Sequence, residues 1–119
     1  MTINGTNGVT FNDGTSMATG QQACKAWVNF NGTGTVAIRA GLNVSSITDN
    51  GTGDYTVSFT NAMADANYSV SVTGTRSSAL ACGVNDSLAA PLAGAVRIST
   101  FSTGGTPNDS PYVNVTIFR

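Results

Sequence analysis

Few residues in this 119-residue chain could do chemistry: six aspartates, two cysteines, three tyrosines, five Lys/Arg residues and no histidine. Two carboxylates at the right separation can serve as acid and base on a glycosidic bond. Here Asp49, Asp54, Asp86 and Asp109 each sit among Gly, Asn, Ser or Pro residues that read as turns or loops, where aspartate ordinarily ties up backbone amides. Asp13 and Asp65 have similar surroundings. The segment Asp49-Asn50-Gly51-Thr52-Gly53-Asp54 superficially looks like a calcium loop. It lacks the D-x-[DN]-x-[DN]-G spacing, and no glutamate exists to close it, so it reads as a hairpin turn. Cys24 and Cys82 have no histidine to act as a partner base. A disulfide between them would close a long loop and add roughly 4 kcal/mol. Folding in a reducing cytosol instead favours free, buried thiols, which is the expectation. The residues therefore nominate no catalytic group, no metal site and no cofactor.

Binding chemistry is also sparse. Lys25, Arg39, Arg76, Arg97 and Arg119 are scattered, with no basic run to neutralise a row of phosphates, so nucleic acid is not an expected partner. No apolar run approaches the roughly 20 residues needed to cross a bilayer as a helix. MTINGTNGVTF has neither a basic n-region nor an apolar h-region, so the expectation is a chain without membrane insertion, made in a cytosol. Eight Asn-X-Ser/Thr sequons occur, which in this context read as turn and surface composition rather than glycan sites. Trp27 is the one tryptophan. It stands on the polar side of its strand pattern, as a sugar-stacking platform or a subunit contact, and packing is the favoured role. Tyr112, beside the Gly104–Pro111 loop, is a second candidate for receptor contact.

The elements that must hold these residues are strands. Only 9% of residues are charged, against roughly 25% in an ordinary globular protein. A hydrophobic fraction of 40% with a net charge of -1 nonetheless favours a packed domain over disorder. AWVNFNGTGTVAIR (residues 26–39) places Ala26, Val28 and Phe30 on one face and Trp27, Asn29 and Asn31 on the other. After the Asn31–Gly34 turn, Val36 and Ile38 continue the apolar set, and residues 42–48 form a weaker third strand. Tyr55, Val57 and Phe59 face inward in the clearest strand, and Tyr68, Val70 and Val72 repeat the pattern. Residues 78–82 suggest a short strand, and residues 86–91 a loop with at most one helical turn. Residues 95–101 and 112–118 restore the alternation around a Gly- and Pro-bearing loop. The predicted fold is all-β, an antiparallel β-sandwich (jelly-roll-like or Ig-like) of about 7–8 strands, spanning residues 23–119. Residues 1–22, dense in Asn-Gly and Asp-Gly pairs, form an extended N-terminal arm or a single strand, with Ile3, Val9 and Phe11 as its anchors on a neighbouring surface.

VTFNDG (residues 9–14), followed by Thr15 and Ser16, resembles a signature of phage tail-fibre and other virion proteins. AWVNFNGTGTVAIR and NVSSITDNGTGDYTVSFTNAM, followed by Ala66-Asn67-Tyr68, resemble a β-rich module near the C-terminus of phage fibre-like proteins. The likeness covers Val9 to about Val72, and beyond that only the strand pattern agrees. It implies a virion structural protein without catalytic residues, commonly a homotrimer. Such a protein would be made in the bacterial host cytoplasm and would cap a fibre body or touch a host surface glycan. Fibre proteins usually carry a long shaft before such a module. The short arm here implies either a fragment or a module that stands alone, and the latter also suits a capsid cement or decoration protein seated on the major capsid protein. A carbohydrate-binding module is the third expectation.

Overall fold

The structure, a computed structural model, describes residues 2–4, 8–17, 23–75 and 80–119. Among these residues there are eleven strands and no helix. Eight of them build a two-layer antiparallel β-sandwich: β4 (Cys24–Asn31), β5 (Ala37–Leu42), β6 (Val44–Gly51), β7 (Asp54–Phe59), β8 (Ser69–Gly74), β9 (Leu80–Val84), β10 (Ala95–Ser102) and β11 (Val113–Phe118). One sheet has the order β5-β4-β11-β8 and the other β6-β7-β10-β9.

Period-2 alternation explains the core. Ala26, Val28, Phe30, Val113, Val115 and Ile117 project from one sheet, and Tyr55, Val57, Phe59, Val96 and Ile98 from the other; all are buried. Phe30 and Tyr55 meet edge to face across the layers, with ring centroids 5.2 Å apart. Each such large side chain taken from water contributes roughly 1.5–3 kcal/mol.

Three local expectations need correction. The apolar set does not run on through Ile38: β5 is an edge strand, and Ile38 is exposed. Residues 42–48 are not one strand. The chain changes sheets at Asn43, whose φ of 56° breaks the strand between Leu42 and Val44. The Asn43 side chain holds this corner by donating to the carbonyls of Lys25 (3.1 Å) and Asn61 (3.0 Å) and accepting from the Asn61 amide (2.7 Å). The strand suggested at residues 78–82 is present over Leu80–Val84 and so runs two residues past Cys82; residues 76–79 lie outside the described residues.

Within the arm, β1 (Thr2–Asn4), β2 (Gly8–Thr10) and β3 (Ser16–Met17) pair with one another in a small antiparallel sheet. Val9 is half-buried and pairs with Ile3 and Met17, while Phe11 stands exposed at the turn. The side chain of Ile3 lies outside the described residues. Asp13 closes that turn by accepting from the amide and hydroxyl of Thr15.

Candidate functional site

The two outer faces of the sandwich differ. On the β5-β4-β11-β8 face, Trp27 pairs with Thr116 and Leu42, and Asn29 pairs with Asn114 and Ala40. Because Val113, Val115 and Ile117 point inward, Tyr112, Asn114, Thr116 and Phe118 point outward. A bulge leaves Arg39 as the extra residue of β5, and its guanidinium lies over the Tyr112 ring, 4.0 Å from the centroid. Trp27 (39% exposed), Leu42 (49%), Tyr112 (48%) and Phe118 (42%) thus break up an otherwise polar surface. The amide of Asn29 donates to Asn114 Oδ1 at 2.6 Å, and its own Oδ1 is buried without a partner. The sequence candidates Trp27 and Tyr112 therefore share a face. They are not neighbours, since Thr116, opposite Trp27, lies four residues or roughly 13 Å along the strand from Tyr112.

The β6-β7-β10-β9 outer face carries Thr48, Thr56 and Arg97 in one cross-strand row. Arg97 binds Asp54 through both nitrogens of its fork, at 2.8 and 2.6 Å, and Asn50 donates to Thr56 Oγ1 at 2.8 Å. The Arg97 hydrogen bond holds the Asp54 carboxyl below its usual range.

One end of the sandwich, opposite the entry of β4, is closed by residues 108–112. Asp109 Oδ1 accepts from the Gly53 amide (2.8 Å) and the Tyr55 hydroxyl (2.7 Å), and that hydroxyl also lies 2.9 Å from the Gly32 carbonyl. Burial, reinforced by the Asp109 carboxylate, pushes the Tyr55 hydroxyl well above its ordinary pKa. Ser110 Oγ accepts from the Thr75 amide at 3.0 Å and donates to the Thr75 carbonyl at 2.6 Å. Thr100 Oγ1 donates to the Asn108 carbonyl at 2.5 Å. Sequence reading assigned Asp109 only to a loop. The missed signal was Tyr55 itself, because a core-facing tyrosine must find a partner for its hydroxyl.

At the other end, where β4 begins and β11 finishes, lies a cleft of about 410 Å³. Ala62, Met63 and Ala64 line it together with Lys25 and Arg119, beside the Asn43 corner. Arg119 is held by Asp65 through two bonds of 3.0 and 2.8 Å. The neighbouring β9–β10 loop exposes Leu88 and Leu92. This cleft also went unseen in the sequence, since its lining comes from four separate segments.

The remaining candidates for chemistry are dispersed. Asp49 accepts from the Gly51 amide within its own turn, and Asp65 accepts from that of Asn67. Cys24 and Cys82 are free and half-buried, on strands of opposite sheets, and burial raises the Cys82 thiol. Among the described residues no group of three or more His, Cys, Asp or Glu could hold a metal ion, and no helix is long and apolar enough to cross a membrane. Set against known protein families, curated proteins and solved structures, the chain has no match.

Proposed function

We propose that this chain is a non-enzymatic structural module of a bacteriophage virion, of the tail-fibre-tip type, which self-associates as a homotrimer and contacts the host surface. The observation that carries this reading is the inequality of the two outer faces. A sheet face meant only for water needs no large apolar side chains, and the Thr48–Thr56–Arg97 face has none in that row. The opposite face holds Trp27, Leu42, Tyr112 and Phe118 partly out in solvent, as surfaces awaiting a partner do. Trp27 also lies in AWVNFNGTGTVAIR, one of the strings that resemble phage fibre modules. In this reading the Trp27 face is a subunit contact and the Asp109 end presents its turns to the host.

Adsorption competition tests the proposal. Purified protein should reduce phage attachment to cells, and light scattering should find an oligomer that Trp27→Ala weakens without changing the fold. Loss of glycan binding with the oligomer intact would make Trp27 a stacking platform instead. A monomer with no effect on adsorption would sink the proposal. A second reading, a capsid decoration protein, is favoured by the exposed Phe11 at the turn between β2 and β3 of the small N-terminal sheet, a shape suited to clipping onto a shell. It wins if the protein is found in many copies on heads while adsorption is unaffected.

A further inference from the structure

We infer that the cleft beside Lys25 receives the Asp86–Leu92 loop of a second copy of this chain. The inference rests on the reading of the chain as a self-associating module, and it names a contact separate from the Trp27 face. Leu88 (60% exposed) and Leu92 (64%) are the most exposed large apolar side chains among the described residues. The loop that carries them is well anchored. Ala89 N–H bonds the Asn85 carbonyl at 3.3 Å, Leu92 and Ala95 exchange backbone bonds, and the Tyr68 hydroxyl donates to the Leu92 carbonyl at 2.8 Å. Below it, Asn85 is fixed by its amide to the Arg97 carbonyl (2.8 Å) and by its side chain to Ser99 Oγ (2.6 Å). A preorganised apolar knob loses little conformational freedom on docking.

Charge supplies the complement. Asp86 opens the loop, and Lys25 lines the cleft next to Ala62, Met63 and Ala64. Neither side chain has a hydrogen-bond or ion-pair partner among the described residues, whereas the side chains of Asp54, Asp65, Arg97 and Arg119 are paired within the chain. An unpaired acid beside exposed leucines and an unpaired base beside the Ala62–Met63–Ala64 wall of a cleft otherwise lined by Asn43, Asn61 and Arg119 match each other in sign and in character. The two parts are separate patches at the same end of the sandwich, where the Met63 N–H bonds the Ala93 carbonyl at 2.8 Å. The loop joins β9 to β10 in one sheet, while Lys25 and Arg119 belong to β4 and the end of β11 in the other. A contact between unlike surfaces of identical chains is heterologous, and it closes into a ring when the rotation permits.

A charge-swap experiment on the full chain tests this. Lys25→Asp and Asp86→Lys should each weaken self-association on the order of tenfold in sedimentation equilibrium, and the double swap should restore it. Leu88→Cys with Ala62→Cys, placed in a Cys24→Ser/Cys82→Ser background, should form disulfides between chains. Circular dichroism of each variant confirms that the fold is kept. A wild type that stays monomeric at high micromolar concentration overturns the inference. So does an oligomer insensitive to either swap, or one that the double swap fails to rescue. Dissociation by Trp27→Ala with both swaps inert would remove this contact and leave the wider proposal standing. Swap-sensitive assembly without any effect on phage adsorption would do the reverse.

Discussion

Removing the hydroxyl of Tyr55 leaves Asp109 Oδ1 with only the Gly53 amide as its partner at the closed end of the sandwich. The lost bond is charge-assisted and part-buried, so Tyr55→Phe is expected to cost about 1.5–3 kcal/mol in urea unfolding. A cost near zero would mean that the hydroxyl is not needed for that closure. Asp54 offers a pH test. Its pKa is lowered from 3.8 by the Arg97 bond, so the folded state favours the ionised carboxylate. The stabilisation is complete above the unfolded value and disappears as pH falls through the lowered one. Wild type should therefore lose more stability than Asp54→Asn between about pH 5 and pH 2, compared by urea titration at each pH. Tyr55 was legible as an inward residue because its neighbours alternate strictly. Asp109 was not legible as its partner because the two lie 54 residues apart in sequence.

At the scale of elements, two glycines at positive φ separate backbone strain from packing. Gly34 (φ 58°) has open space where a Cβ would sit, whereas at Gly53 (φ 65°) that atom would run into the Thr100 carbonyl and lie 2.6 Å from the Asn108 nitrogen. Gly34→Ala should cost about 1–2 kcal/mol from the left-handed conformation alone. Gly53→Ala should cost distinctly more, on the order of 3 kcal/mol or above, because backbone rather than a flexible side chain must move. Equal losses in thermal or chemical unfolding would show that the Gly53 turn relaxes freely. Strands β4, β7, β10 and β11 were legible from alternation, since they are central strands with one face in the core. Edge strand β5 was misread at Ile38 because an edge shields only part of its inner face. The corner at Asn43 left no period to read, as a single residue in the left-handed region carries it.

Over the whole molecule, the Cα radius of gyration is 16.1 Å and the extents are 49 × 27 × 24 Å, against roughly 13.5 Å for a compact chain of this length, so the outline is elongated. The fold class was readable from strand count and turn spacing. The inequality of the outer faces was only half readable, because Trp27 announced itself but Leu42, Phe118 and the Leu88–Leu92 loop depend on which strands become neighbours. Hydrogen exchange should reveal how the Asp109 end is built. The loop amides of Gly32, Gly53, Thr75 and Asn108 all donate to partners in that closure and should exchange as slowly as strand β7, with Gly34 exchanging fast. Uniformly fast loop amides would contradict a rigid end. That rigidity bears on how this chain can diversify. Gly34, Gly51 and Gly105 mark the crests of three turns at that end, and each faces open space. The feet of those turns are tied down at Gly32, Gly53 and Ser102. Insertions and new side chains at the crests should leave the frame intact, so the protein can serve as a display scaffold whose three turns change sequence and length independently of its core.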